Sequence, residues 1–297
     1  MTRPALALIG PGRAGTVLTR AWQRAGYPLV AVAARGPDSV ARAHDLLGGE
    51  EPTTPEQAAE QAAVVLLGVA DDDIAALTAR LLRAGSLHAG QCLVHLSGRY
   101  GIGVLHAAQA IGVIPLALHP IMTFTGTSVD LGRLSGTPFG VTAPEQHRPI
   151  AETLVVEAGG QPVWIDEQAR PAYHAALTVA ANHTATLLRA SAALLTESGV
   201  TDPAALLGPV VRASCDNALA RGAPAMTGPV PRGDLTTLTE HLDTLSASPP
   251  VLAAYRAVAL LTTEHAGDAG LLSPAAAHRI RALLTAPVGS PPADASP

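Results

Sequence analysis

The stretch Ala5 to Gly15, ALALIGPGRAG, constrains the fold more than any other part of the chain. A short apolar run leads into Gly10-Pro11-Gly12-Arg13-Ala14-Gly15, and a helix-like segment follows from Thr16 to Ala25. Strand, glycine-rich turn and helix in that order make the opening β-α unit of a nucleotide-binding sheet. Gly10 permits the tight exit from the strand. Gly12 leaves the backbone open to a pyrophosphate, and Gly15 lets the helix approach the sheet. The amides of the first helical turn then face the phosphates.

The alternation continues. Strands are expected at 4–9, 27–34, 64–69, 92–96, 113–118, 137–142 and 162–165, with helices at 13–26, from Pro37, up to about Ala84 and over 145–158. VVLLGV at 64–69 is a continuous apolar run, as in a strand covered on both faces. The fold class is therefore α/β, a Rossmann-like, mostly parallel sheet clad in helices. Asp71-Asp72-Asp73 suits a helix N-terminus. Beyond Asp166 the pattern is helical throughout, at 171–197, 203–221, 234–245, 250–267 and 273–285. Asp202-Pro203 and Ser273-Pro274 read as caps followed by proline in the first turn. The expected division is a dinucleotide-binding domain at 1–165, an all-helical substrate and dimerisation domain at 166–285, and a disordered tail at 286–297.

Composition narrows the function. All 19 basic residues are arginine, so neither a lysine acid nor a lysine Schiff base is available. The net charge of -5 carries no basic stripe, which argues against a nucleic-acid partner. Apolar windows break before the roughly 18 residues that a membrane span needs. Met1 to Pro4 leaves no room for a signal peptide, and a cytoplasmic location is expected. Cys92 and Cys215 are expected as buried free thiols, and no metal site is expected.

Strand ends place the candidate site residues. Strand two ends in Ala33-Ala34-Arg35-Gly36, without the acid that holds the ribose of NAD. Arg35 suits the 2′-phosphate of NADP. The backbone of Gly68, Val69 and Ala70 is expected along the ribose and nicotinamide, and Ser97 either reaches substrate or caps its turn. His119 follows another strand, where it can exchange a proton or shape the proline loop. His174, Thr178 and Asn182 repeat every four residues on one helix face. In Thr227-Gly228-Pro229-Val230-Pro231-Arg232-Gly233-Asp234, Arg232 can clamp a carboxylate, and Asp234 can cap the next helix or orient Arg232.

LIGPGRAG, VVLLGVADDDI, LVHLSG, ALHPIMTF, TPFGVTA, AYHAALTVAANH and TGPVPRGD together resemble the two-domain Rossmann-like/DUF2520 family. The chain is also similar in plan to ketopantoate reductases, pyrroline-5-carboxylate reductases and the 6-phosphogluconate/3-hydroxyisobutyrate dehydrogenase group. That resemblance implies NAD(P) chemistry and a homodimer formed through the helical domain. The hydroxyacid dehydrogenases and ketopantoate reductases carry a Lys and, a turn later, an Asn on this helix. Here the positions read His174, Thr178 and Asn182, so neither pair is intact. The leading expectation is an NADP-dependent reductase of a small keto or imino acid, ketopantoate-like, with His174 or His119 as proton donor, Asn182 positioning the heteroatom and Arg232 holding the acid. Alternatives are a non-catalytic dinucleotide-binding regulatory protein and a deazaflavin (F420)-dependent oxidoreductase.

Overall fold

The computed structural model describes residues 3–48 and 52–287. The chain divides into two compact units at Ala180/Ala181. The first is built on a seven-stranded sheet of order β2-β1-β3-β4-β5-β6-β7, whose strands are β1 (Leu6–Ile9), β2 (Leu29–Ala33), β3 (Val64–Leu67), β4 (Cys92–His95), β5 (Ile114–Pro120), β6 (Pro138–Thr142) and β7 (Gln161–Trp164). All pairings are parallel except β5 with β6. The helices between them are α1 (Arg13–Arg24), α2 (Pro37–Leu47), α3 (Pro55–Glu60), α4 (Ile74–Ala84), α5 (His106–Gln109), α6 (Val129–Arg133) and α7 (Arg148–Glu157).

Alternation along the strands separates two apolar layers. Leu6, Leu8, Val64, Leu66 and Val94 face one layer, where they meet Val17, Leu18 and Trp22 of α1 and Leu154 and Val155 of α7. Ala7, Ile9, Val65, Leu67 and Leu93 face the other, against Ala58 and Ala59 of α3 and Ile74, Leu77 and Leu81 of α4. Trp22 closes the first layer by donating its indole N–H to the Leu154 carbonyl at 2.7 Å. At the sheet edge, β7 carries Pro162, and the Arg148 guanidinium lies 4.9 Å over the Trp164 ring.

Several expectations need correction. His119 lies within β5, because the antiparallel partner β6 extends the strand and pairs His119 with Gly140. The expected helix 171–197 is three segments: α8 (Arg170–Leu177), a π-helical turn over Thr178–His183 and α9 (Thr184–Glu197). The wider π turn breaks the even four-residue spacing of His174, Thr178 and Asn182. Helix α8 groups with the sheet unit, since Arg170 bonds to β5 and β6, and the unit boundary falls after it rather than at 165/166. Asp71–Asp73 do stand at a helix N-terminus as expected, as a 3₁₀ turn that runs directly into α4 without a side-chain cap. Cys92 is buried, but Cys215 is exposed on α10 (Pro203–Arg221), a helix none of whose residues is buried.

The second unit is all-helical. It continues from α9 and α10 through α11 (Pro229–Arg232), α12 (Leu235–Leu245), α13 (Pro249–Asp268) and α14 (Pro274–Thr285). Leu238 and Leu242, Leu252 and Ala259, and Ile280 and Leu284 project from their helices at three- to four-residue multiples and form one core. Asp202 and Ser273 cap α10 and α14 through the amides of Ala205 and Ala276. Of the expected disordered tail, residues 288–297 lie outside the described residues. Among the described residues no helix is long and apolar enough to cross a membrane.

Inside β4, His95 is fully buried between two backbone groups. Nδ1 accepts from the Ser97 amide at 3.2 Å, and Nε2 donates to the Gly101 carbonyl at 2.8 Å. A second ring proton would point at the Ser97 N–H, and burial pushes the imidazole pKa down to about 4. The unfolded chain therefore takes up this proton first as pH falls. The stabilisation is complete above the ordinary histidine pKa and is lost between about 6.5 and 4. We expect native stability to fall by about 2 kcal/mol from this residue on going from pH 7 to 5. Urea unfolding of the wild type and His95→Gln, followed by Trp22 fluorescence, checks this; equal pH slopes for the two proteins contradict it.

Candidate active site

The turn after β1 and the end of β3 interlock through glycine. Gly10 has φ 78°, a conformation that L side chains rarely adopt. A Cβ on Gly12 would stand 2.7 Å from the Gly68 carbonyl oxygen, and one on Gly15 would stand 3.1 Å from the Gly68 Cα. The Gly10 amide donates to Ala33 O and the Gly68 amide to Ile9 O, each at 2.8 Å, so the ends of β2, β1 and β3 are tied side by side. Pro11 is buried, and its carbonyl accepts from Arg42 at 2.7 Å, which fixes the turn from the α2 side. Arg13 and Ala14 open α1, whose first turn holds no acidic side chain and whose N-cap, Gly12, supplies none.

Beside this turn lies a cavity of about 540 Å³, where the strand order reverses between β1 and its neighbours β2 and β3. Gly10, Gly12, Arg35, Gly68, Val69 and Ala70 line it. Arg80 and Arg83 of α4 line it too, and neither was singled out from the sequence. Glu56 grips Arg80 through a pair of hydrogen bonds. Asp73 is the carboxylate in this lining, and the end of β2 contributes Ala33, Ala34 and Arg35.

A second constellation forms around β4, β5 and β6 within the sheet unit. His119 Nδ1 lies 2.7 Å from the Tyr173 hydroxyl, and the His119 and His174 rings stand edge to face at 6.3 Å. Both imidazoles crowd Gly98, where a Cβ would lie 2.6 Å from His174 Cδ2 and 3.0 Å from His119 Nε2. Arg170 is 1% exposed, and among the described residues no carboxylate forms an ion pair with it. Its guanidinium donates to Thr142 Oγ1, Ser97 O, Ala117 O and Gly140 O at 2.9 to 3.2 Å. Burial, and then the Arg170 and His174 charges, push His119 down to about 4, while Asp71 opposes them. At neutral pH this histidine is an uncharged imidazole.

Ser97 is buried in its turn. Its hydroxyl donates to Asp71 at 2.6 Å and accepts from the Tyr100 amide at 3.0 Å. Thr178 is the C-cap of α8. In the helical unit, Asn182 is exposed in the π turn and its carbonyl accepts from Thr186. Arg232 is exposed at the end of α11, 3.9 Å from Asp234. Asp234 caps α12 through the Thr237 amide and hydroxyl at 3.1 and 2.8 Å. Among the described residues no group of three or more His, Cys, Asp or Glu is placed to hold a metal ion.

Sequence reasoning passed over Arg170 and the pairing of Tyr173 with His119. A signal was present for the first. Arg170 opens a helix, the end at which the helix dipole disfavours a cation, so its position calls for a reason outside the helix.

Comparison with known proteins agrees with this architecture. A family model described as a Rossmann-like domain matches residues 1–120, and one described as a domain of unknown function, DUF2520, matches residues 137–262. A Bacteroides fragilis crystal structure, named as a proposed NADP oxidoreductase, has a TM-score of 0.76 at 20% identity, covering 89% of this chain and 99% of its own. A Thermotoga maritima protein gives 0.63 at 24% identity, with coverage of 89% and 99%. The Plasmodium falciparum pyrroline carboxylate reductase with NADP bound gives 0.56 at 12% identity, covering 96% and 100%. No curated protein sequence matches the chain significantly. The chain thus joins an N-terminal Rossmann-like domain to a C-terminal DUF2520 domain, on a fold shared with dehydrogenases and reductases.

Proposed function

We propose that this protein is an NADP-dependent reductase of a small keto or imino acid. One observation carries the reading: the glycine-interlocked turn opens on a cavity at the reversal point of a parallel sheet, and that cavity is lined by Arg35, Arg80 and Arg83. The uncapped amides at the start of α1 suit a pyrophosphate. Arginine in place of an acid at the end of β2 favours the 2′-phosphate of NADP over the ribose hydroxyls of NAD. NADP is bound in the Plasmodium structure of the same fold, which supports the assignment.

The bound nicotinamide would supply the hydride, and the protein supplies position and protons. His119 and His174 are the proton-handling groups in this reading. Asn182, whose amide both donates and accepts, is proposed to hold the substrate heteroatom. Arg232 is proposed to pair with the substrate carboxylate in a bidentate manner. Ser97 is assigned to the turn, through its bonds to Asp71 and the Tyr100 amide, and Asp234 to the cap of α12.

A homodimer formed through the helical domain completes the reading. The support is that α9 and α10 bury none of their residues, with Leu187, Leu206, Val210 and Leu219 exposed. Light scattering is expected to give twice the chain mass, and Leu206→Glu/Val210→Glu to shift it to the monomer. A monomeric wild type contradicts this part.

Calorimetric titration with NADPH, NADH and a reduced deazaflavin tests the cofactor. NADPH is expected to bind tightest, and Arg35→Ala to weaken it roughly ten- to hundredfold with little effect on NADH. Absence of heat with NADPH overturns the reading, and preferential deazaflavin binding replaces it. Gly68→Ala places a methyl group against the Gly10 carbonyl. It is expected to destabilise the sheet unit by about 1–3 kcal/mol in urea unfolding and to weaken NADPH binding, because backbone must move.

A further inference from the structure

This inference deepens the reductase reading and rests on it. Burial leaves His119 neutral at physiological pH, so it holds no spare proton as an imidazolium. A neutral imidazole gives up one ring proton readily only if its other nitrogen gains one in the same event. The Tyr173 hydroxyl stands at that other nitrogen, 2.7 Å from Nδ1. Donation from Tyr173 to Nδ1 also gives the phenolic proton an acceptor, and it puts the ring proton on Nε2. Among the described residues nothing hydrogen-bonds Nε2, which meets the bare backbone of Gly98.

Arg170 explains the rest of the arrangement. A buried cation without a carboxylate partner is costly, and the start of a helix adds to the cost. Four neutral oxygens hold it in place, with its guanidinium carbon 5.7 Å from the Tyr173 ring. Its charge opposes protonation of His119. Burial holds the Tyr173 phenol above its ordinary range, and the Arg170 charge works against that shift. The charged and titratable groups facing His119 are Arg170 and His174 from α8, Asp71 from the turn after β3 and His95 from β4. Gly140 completes the fit, since a Cβ there would overlap the Tyr173 hydroxyl.

We propose that Tyr173, His119 and Arg170 form a proton relay, in which His119 protonates the substrate heteroatom from Nε2 while Nδ1 takes the Tyr173 proton. A bound nicotinamide would supply the hydride to the carbonyl or imine carbon, and the heteroatom would then need the proton that His119 holds on Nε2. The Nε2–H bond breaks as the new bond from hydrogen to the heteroatom forms. The Tyr173 O–H bond breaks as Nδ1–H forms, which leaves a neutral imidazole and a phenolate facing Arg170. The relay resets when Nδ1 returns its proton to Tyr173 and Nε2 takes one from water. Arg170 acts through the other two and is a positioning residue.

The test begins on the full-length protein without cofactor. Long-range ¹H–¹⁵N NMR of the imidazoles, with His119 assigned from His119→Gln, is expected to show the Nε2–H tautomer at pH 7 and no titration above about pH 5. Tyr173→Phe is expected to lose the tautomer preference while keeping the fold. In Arg170→Met, His119 is expected to titrate closer to 6.5 and Tyr173 at higher pH; the Tyr173→Phe result decides alone if that variant does not fold. With NADPH and a panel of 2-keto and cyclic imino acids, Tyr173→Phe is expected to lower turnover at least tenfold, with NADPH affinity within twofold of wild type. A His119 that carries its proton on Nδ1 or titrates near 6.5 overturns the relay, as does full turnover in Tyr173→Phe, and both leave the reductase reading standing. Failure of NADPH to bind removes both.

Discussion

The contact of Gly10, Gly12 and Gly15 with Gly68 is the constraint on which the sheet unit depends. These residues bring the backbone of the β1–α1 turn against the backbone at the end of β3, where a Cβ on Gly12 would meet the Gly68 carbonyl and one on Gly10 would meet Val69. That proximity lets β1 and β3 pair in register from Leu6↔Val64 to Ile9↔Leu67 while α1 still packs Val17, Leu18 and Trp22 onto the same layer. It also places bare amides beside the cavity. Fold and ligand cradle therefore come from one packing event, and a methyl group at any of these positions disturbs both.

Arg170 plays the corresponding part around β4–β6. The sheet reverses direction between β5 and β6, and Arg170 at the start of α8 reaches carbonyls of both strands. The guanidinium gathers oxygens from β5, β6 and the turn after β4, so that α8 is anchored by hydrogen bonds rather than by apolar packing. Arg170 is the single buried residue of α8. Its charge is then a fixed feature of the space occupied by His119 and Tyr173.

Much of this was legible in the sequence because it rests on local signals. The strand-glycine-helix order located the nucleotide turn, apolar runs located the parallel strands, and Asp202-Pro203 and Ser273-Pro274 marked real helix starts. What stayed hidden depends on distant pairing. His119 looked like a post-strand residue because β6, which extends β5 past it, is remote in sequence. The π turn at Thr178–His183 has no propensity signature, so a four-residue polar stripe was inferred where the helix widens. Ser97 was read as reaching substrate or capping its turn and Asp71 as part of an acidic helix start, and the pairing of β3 with β4 brings the two into a hydrogen bond. Arg80 and Arg83 lie several turns from any glycine motif and reach the cavity through the packing of α4.

The outer strand β7 has a consequence for how the protein behaves in a crowded solution. Exposed strand margins recruit other chains by offering free amides and carbonyls. Here the margin is four residues long, lacks an amide donor at Pro162, and is roofed at Trp164 by a charged side chain. A foreign strand would find neither the length nor the donors to dock, which makes this rim a poor template for fibrillar growth.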